Sequence, residues 1–193
     1  MKKFLILVAL ILVAAGGYFA YRTLSGPAPV PRLADLPPQQ QAERRADAQN
    51  LVGQVEDVAR AVKKGERRDF TISATQDQLN TLLQDNIKIK DAPVRDLSAQ
   101  LQPGQLILTG RAKYGGLTVP VVINGDLKAR DGGLSLEIDS LKLGGFNAPN
   151  DWKQKAQTAA SDALEKALSG GQKLRFGEVK IEREKLTVSG QTG

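Results

Sequence analysis

The stretch VRDLSAQLQPGQLILTGRAKYGGLTVPVVINGDLKARDGGLSLEIDSLKL, residues 94–143, alternates apolar and polar side chains almost without interruption. Leu97, Ala99 and Leu101 alternate with Ser98 and Gln100. After Pro103-Gly104, Leu106, Leu108, Gly110, Ala112 and Tyr114 alternate with Thr109, Arg111 and Lys113. Past Gly115-Gly116, the residues Leu117, Val119, Val121, Ile123, Gly125, Leu127 and Ala129 share one face, opposite Thr118, Asn124, Asp126 and Lys128. A period of two sends successive side chains to opposite faces of a strand, so the pattern predicts a meander of four long antiparallel strands, aliphatic on one face and wet on the other. After Asp131-Gly132-Gly133, Leu134, Leu136 and Ile138 keep the alternation until Ser140. Beyond it Leu141 and Leu143 are one position out of step, which is what a β-bulge produces. Pro120 conflicts with an interior strand because it cannot donate to a ladder, and it is expected to mark a bend near the strand's start.

Working outward, Leu51, Val55, Val58 and Val62 recur at helical spacing, and Gly65 follows Lys63 and Lys64, so a helix is expected from about Ala42 to Lys64. Residues 69–73 read as a short strand. Thr75 and Gln78 then form a capping-box pattern ahead of Leu79, Leu82 and Leu83, predicting a helix from Gln76 to about Asp85. Downstream, Asn150 can cap a long helix whose apolar face is Trp152, Ala156, Ala159, Ala160, Ala163, Leu164, Ala167 and Leu168, ended by Gly170-Gly171. A last hairpin carries Val179 and Ile181, then Leu186 and Val188, around Arg183-Glu184. The class is α+β, with helices laid on one face of a curved antiparallel sheet.

Ahead of this body, Phe4 to Tyr21 is an uncharged apolar run of eighteen residues, about 27 Å as a helix and enough to cross a bilayer. Lys2 and Lys3 outweigh Arg22, which orients the N-terminus to the cytoplasm and everything after Tyr21 outward. Small residues at Ala14, Ala15 and Gly16 also allow a cleaved signal peptide. The expected organisation is therefore residues 1–22 as signal anchor or signal peptide, 23–41 as a proline-rich spacer, and 42–193 as the α+β domain. Retained, the segment makes a single-pass protein with its domain in the extracytoplasmic or periplasmic space; cleaved, it makes a secreted one.

Composition removes many functions. With no His and no Cys among 193 residues, there is no imidazole base, thiolate nucleophile, disulfide or thiolate zinc site. Of the net charge of +6, three charges belong to Lys2, Lys3 and Arg22, and aromatics are only 5% of residues, so neither charge nor stacking side chains point to nucleic acid. Asp126, Glu137 and Asp139 fall on the wet face and Asp131 in a turn, where nothing splits their pKa values for acid and base roles. No calcium-loop or dinucleotide-binding spacing occurs, and no cofactor or metal is implied. Lys63, Lys64, Arg67 and Arg68, with Arg111 and Lys113, are either solubilising charge or contacts to anionic lipid headgroups. The aliphatic face is either a plain core closed by helices or a groove for acyl chains.

FTISATQDQLNTLLQD (70–85), the glycine-punctuated meander from Gln105 to Phe146 with Ala148-Pro149 after it, the Ala-rich helix and the final KLTVSG strand together resemble the LmeA-like phospholipid-binding family of exported bacterial proteins. The resemblance covers about residues 69–190. It implies a tubular lipid-binding (TULIP) type of half barrel, a curved meander wrapped on a long helix, and lipid binding or transfer in the envelope without catalysis. The leading expectation is a non-enzymatic, membrane-anchored protein that binds phospholipid or another acyl lipid along Leu106, Leu108, Val119, Val121, Ile123, Leu136 and Ile138, with Lys63, Lys64, Arg67 and Arg68 at the headgroup. The alternative is a filled-core module that scaffolds envelope proteins.

Overall fold

The structure, a computed structural model, describes residues 31–86, 94–114, 117–168 and 174–193. In chain order it contains a 3-10 turn (Leu33–Asp35), α1 (Pro38–Lys64), β1 (Arg68–Thr75), α2 (Gln76–Asn86), β2 (Val94–Gln102), β3 (Gln105–Tyr114), β4 (Leu117–Arg130), β5 (Gly133–Leu143), β6 (Phe146–Asn147), α3 (Asn150–Leu168), β7 (Leu174–Glu182) and β8 (Lys185–Thr192). The Phe4–Tyr21 run, the Gly115-Gly116 turn, the Gly170-Gly171 helix stop, and the side chains of Lys113, Tyr114, Leu117 and of α3 beyond Asp162 lie outside the described residues. Among the described residues no helix is long and apolar enough to cross a membrane.

The meander forms as the alternation predicts, in the order β2-β3-β4-β5, with the two-residue β6 on its far edge. The phase slip is a bulge at Asp139: Asn124 faces Ser140 while Gly125 faces Ile138, leaving Asp139 unpaired. The chains approach so closely there that a Cβ on Gly125 would meet the Glu137 carbonyl oxygen at 2.6 Å. Pro120 fits because of where its missing donor points. Its carbonyl accepts from Gly144 N–H at 2.8 Å, and a strand residue directs its N–H and C=O to the same side, so the proline nitrogen faces the turn after β5 rather than β3.

Two elements depart from the sequence expectation. The last hairpin pairs with β1 in a separate three-stranded sheet, β1-β8-β7, so the described residues form two antiparallel sheets rather than the single curved sheet expected. Helix α1 starts at Pro38, not Ala42, because a proline at the first helical position has its φ pre-set and lacks only an N–H that has no acceptor there. The end of the spacer is likewise part of the folded body: Leu33 is buried, and its N–H donates to Gln84 Oε1 at 2.5 Å.

The capping box is reciprocal, with Thr75 N–H to Gln78 Oε1 at 2.9 Å and Gln78 N–H to Thr75 Oγ1 at 3.2 Å, and it sets α2 at the meander's first edge. Along that edge Asn80 acts as a substitute strand. Its amide donates to Ala99 O at 2.8 Å and accepts from Ala99 N–H at 2.7 Å, while Leu101 N–H donates to Gln76 Oε1 at 2.8 Å. On the opposite edge, Gln157 of α3 accepts from Ile138 N–H at 2.7 Å and donates to Leu136 O. Unpaired edges invite pairing with other chains, and here one amide from each helix satisfies both backbone groups of the strand it covers.

Two stability outcomes follow for chemical denaturation of the full chain. Asn80→Ala strands the Ala99 groups in a buried site and is expected to cost about 3 kcal/mol; a loss below about 0.5 kcal/mol contradicts the edge-closing role. Gly125→Ala must move the Glu137 carbonyl and is expected to cost about 1 to 3 kcal/mol, as overpacking does.

Candidate functional site

The aliphatic face closes into one layer. Leu108, Val119, Val121, Ile123 and Ile138 are buried in a cluster with Leu83 of α2, Leu97, Ala99, Ala112, Leu141, Leu143, and Ala156 of α3. Leu106 is half-buried and packs against this cluster and against a second one made of Leu51, Ala74, Leu79, Leu101 and Ile181. Leu136 is only 1% exposed and lies where Gln157 clips α3 to β5. All seven residues expected to line an acyl site are thus on the interior side of the meander. Sequence reasoning had not counted Leu83, Leu141, Leu143, Ala156, or the half-buried Trp152 and Ala148 among them. The phase change after Ser140 was the available signal for Leu141 and Leu143, and the helical stripe was the signal for Leu83.

The cover over this layer is uneven in bulk. Where α3 meets β5 it presents Ala156 and Ala160, 6% and 0% exposed, each bringing a single methyl where a leucine would bring four carbons. Beyond the second cluster, Val58, Phe70, Phe176 and Val188 form a third, with the two phenyl rings edge-to-face at 5.8 Å.

The basic candidates sit elsewhere. Arg44 and Arg45, near the start of α1, pair with Asp77 and Asp85 of α2 at 3.1 and 2.9 Å, while Lys63 and Lys64 are exposed at its other end, about 30 Å further along the helix. Lys64 pairs with Glu66 at 3.5 Å, and Arg68 donates to the Asp57 carbonyl at 2.8 Å. Arg67 and Arg68 join Arg175, Asp69, Gln191, Thr192 and Gly193 around a cleft of about 490 Å³. That cleft lies beside the third cluster, so the structure does not bring these four basic residues to the layer holding Leu108 and Val121.

Of the four carboxylates singled out in the sequence, Asp126 and Glu137 are in ion pairs on the wet face. Lys128 lies 3.1 Å from Asp126 and 3.0 Å from Glu137, and Arg130 lies 3.4 Å from Glu137. Hydrogen bonding to Lys128, with that ammonium's charge, holds the Glu137 carboxyl below the ordinary carboxylate range, and Lys180 does the same for Glu182. A group held ionised in this way is a poor general acid at neutral pH. Among the described residues no set of three or more carboxylates is placed to hold a metal ion. Asn80 and Gln157, at the two edges of the layer, are occupied by strand backbone, and what the aliphatic face itself offers is apolar surface to bury.

Comparison with curated proteins and with solved structures gives no match. The family described as LmeA-like phospholipid-binding matches residues 44–191, from the first turns of α1 to the end of β8. The match therefore includes α1, which the resemblance over residues 69–190 had left without a counterpart. With both described sheets, α2, α3 and most of α1 inside a match that spans most of its length, the chain belongs to the LmeA-like phospholipid-binding family.

Proposed function

We propose that this chain is a membrane-anchored, extracytoplasmic protein that binds or transfers phospholipid without catalysis, sheltering acyl chains between the aliphatic face of the meander and α3. Membership of a phospholipid-binding family supports the ligand class. The apolar run from Phe4 to Tyr21 supports the anchor and the export. The observation that carries the site is the layer itself: Leu108, Val119, Val121, Ile123, Leu136 and Ile138, at 1–6% exposure, form an aliphatic surface that α3 meets at β5 with Ala156, Ala160 and the half-buried Trp152.

The layer's side chains are buried, and we assign to α3 the movement that admits acyl chains. Past Trp152 the helix meets the layer with Ala156 and Ala160, so lifting that part exposes little apolar surface of its own. Refilling the space with acyl chain recovers burial at about 25 cal/mol per Å², several kcal/mol for a few hundred Å² before ordering costs. Gln157 is then the latch, since its two bonds to β5 must break before the helix leaves the strand.

The full chain, reconstituted in vesicles containing a phospholipid with an acyl-chain diazirine, is expected to carry photoadducts on Leu108, Val121 and Ile138. Adducts confined to residues 4–21 and the outer surface contradict the site. Gln157→Ala is expected to raise amide exchange at Ile138 about tenfold through loss of two hydrogen bonds, and to speed lipid uptake, while Ala99 keeps its protection. Unchanged uptake with faster exchange at Ile138 removes the latch role.

A further inference from the structure

The β6 end of the meander carries an apolar side chain that the core does not use. Phe146 is 58% exposed, and it is the exposed large hydrophobic among the described residues. Its cross-strand partner is Leu143, which is 5% exposed and part of the aliphatic cluster. Directly paired residues share a face, so Phe146 continues the aliphatic layer out of the core into water. Gly144 and Gly145, at φ +59° and +91°, make the tight turn that puts it there.

Basic side chains occupy the same end. Pairing aligns Arg95 with Arg111, Arg111 with Pro120, and Pro120 with Gly144, so these four neighbours form one row across the sheet. Arg95 and Arg111 are exposed, as is Lys142 one step away opposite Asn147. The nearby carboxylates are Asp151, at the start of α3, and Asp96, which is shared between Arg32 at 3.0 Å and Arg111 at 3.9 Å. The Asp96 contact also shows where the N-terminal part of the chain joins the domain. Arg32 is fixed to the start of β2 and Leu33 to Gln84, whereas Lys63 and Lys64 end α1 and Arg67 and Arg68 lie just past its far end. From Tyr21 to Arg32 an extended chain reaches at most about 40 Å.

We propose that this end, with Phe146 as the inserted side chain on the aliphatic face and Arg95, Arg111 and Lys142 at the same end on the opposite face of the sheet, docks on an anionic phospholipid bilayer and is where lipid enters the aliphatic layer. The proposal deepens the lipid-binding function above and rests on it for the entry step. An aromatic ring at the headgroup level with flanking cations is the chemistry of interfacial attachment.

The test uses the full chain in vesicles of phosphatidylcholine with or without phosphatidylglycerol. Because the chain has no cysteine, Asn147→Cys and Lys64→Cys each give one site for an environment-sensitive fluorophore, and headgroup-nitroxide lipid is the quencher. The label at residue 147 is expected to shift to the blue and be quenched when phosphatidylglycerol is present. High salt, or Phe146→Ser, is expected to reverse this, and Arg111→Gln and Lys142→Gln are each expected to lower the docked-to-undocked ratio about fivefold. The label at residue 64 is expected to be unaffected. A label at 147 indifferent to phosphatidylglycerol, or a label at 64 quenched more strongly, overturns the proposal. Quenching at 147 without photoadducts on Leu108, Val121 or Ile138 supports docking and overturns the entry step together with the acyl site. Photoadducts there without quenching at 147 leave the acyl site and overturn the docking surface.

Discussion

A five-stranded sheet with one aliphatic face must remove both that face and its two edges from water, and in this protein the same two helices meet both requirements. Helix α2 brings Leu83 to the face and Asn80 to the β2 edge; α3 brings Ala156 to the face and Gln157 to the β5 edge. Face and edge are thereby coupled. A helix cannot leave the strand edge without uncovering apolar surface, and it cannot slide along the strand without breaking its amide pair. The second sheet depends on this arrangement in turn. Its hairpin is tied to the β2–β3 turn through Gly104 N–H to Ile181 O at 2.9 Å and Glu184 N–H to Leu101 O at 3.2 Å, and its phenyl pair closes the core beneath the end of α1.

The two covers differ in a way that bears on function. Asn80 is 2% exposed and also bonds the Gln76 carbonyl, and Gln76 in turn accepts from Leu101 N–H, so the α2 edge is held by a buried amide network. The α3 side carries Ala156, Ala160 and Trp152 with two hydrogen bonds from Gln157, and it is the side that opens in the function proposed above. The end with Phe146 and the attachment of Arg32 lies where α3 begins. The Arg32 attachment, Phe146 and the start of α3 therefore fall at one end of the domain, and the basic cleft around Arg67, Arg68 and Arg175 is left at the other.

What the sequence disclosed was what is local or periodic. The capping box at Thr75 and Gln78 spans three residues, and the bulge at Asp139 shows as a change of phase, so both could be read directly. The seven aliphatic residues of the expected site share a layer because alternation determines which face a side chain takes. The pairing of β1 with β8 could not be read, since period two specifies a strand's faces and not its partner, here more than a hundred residues away. The edge-closing amides were equally hidden: Asn80 and Gln157 look like other polar helix residues until the fold sets each against a strand distant in sequence. Pro37-Pro38 misled because proline punctuates an extended spacer and starts a helix with the same φ. Phe146 carried no periodic signal, being a single residue after a turn.

The central claim is that the aliphatic layer opens to hold one phospholipid, and native mass spectrometry of the purified full chain after incubation with phospholipid vesicles tests it most directly. The account predicts a species heavier than the bare chain by the mass of one phospholipid, formed faster in Gln157→Ala. The bare chain alone, under conditions where it remains folded, would contradict it.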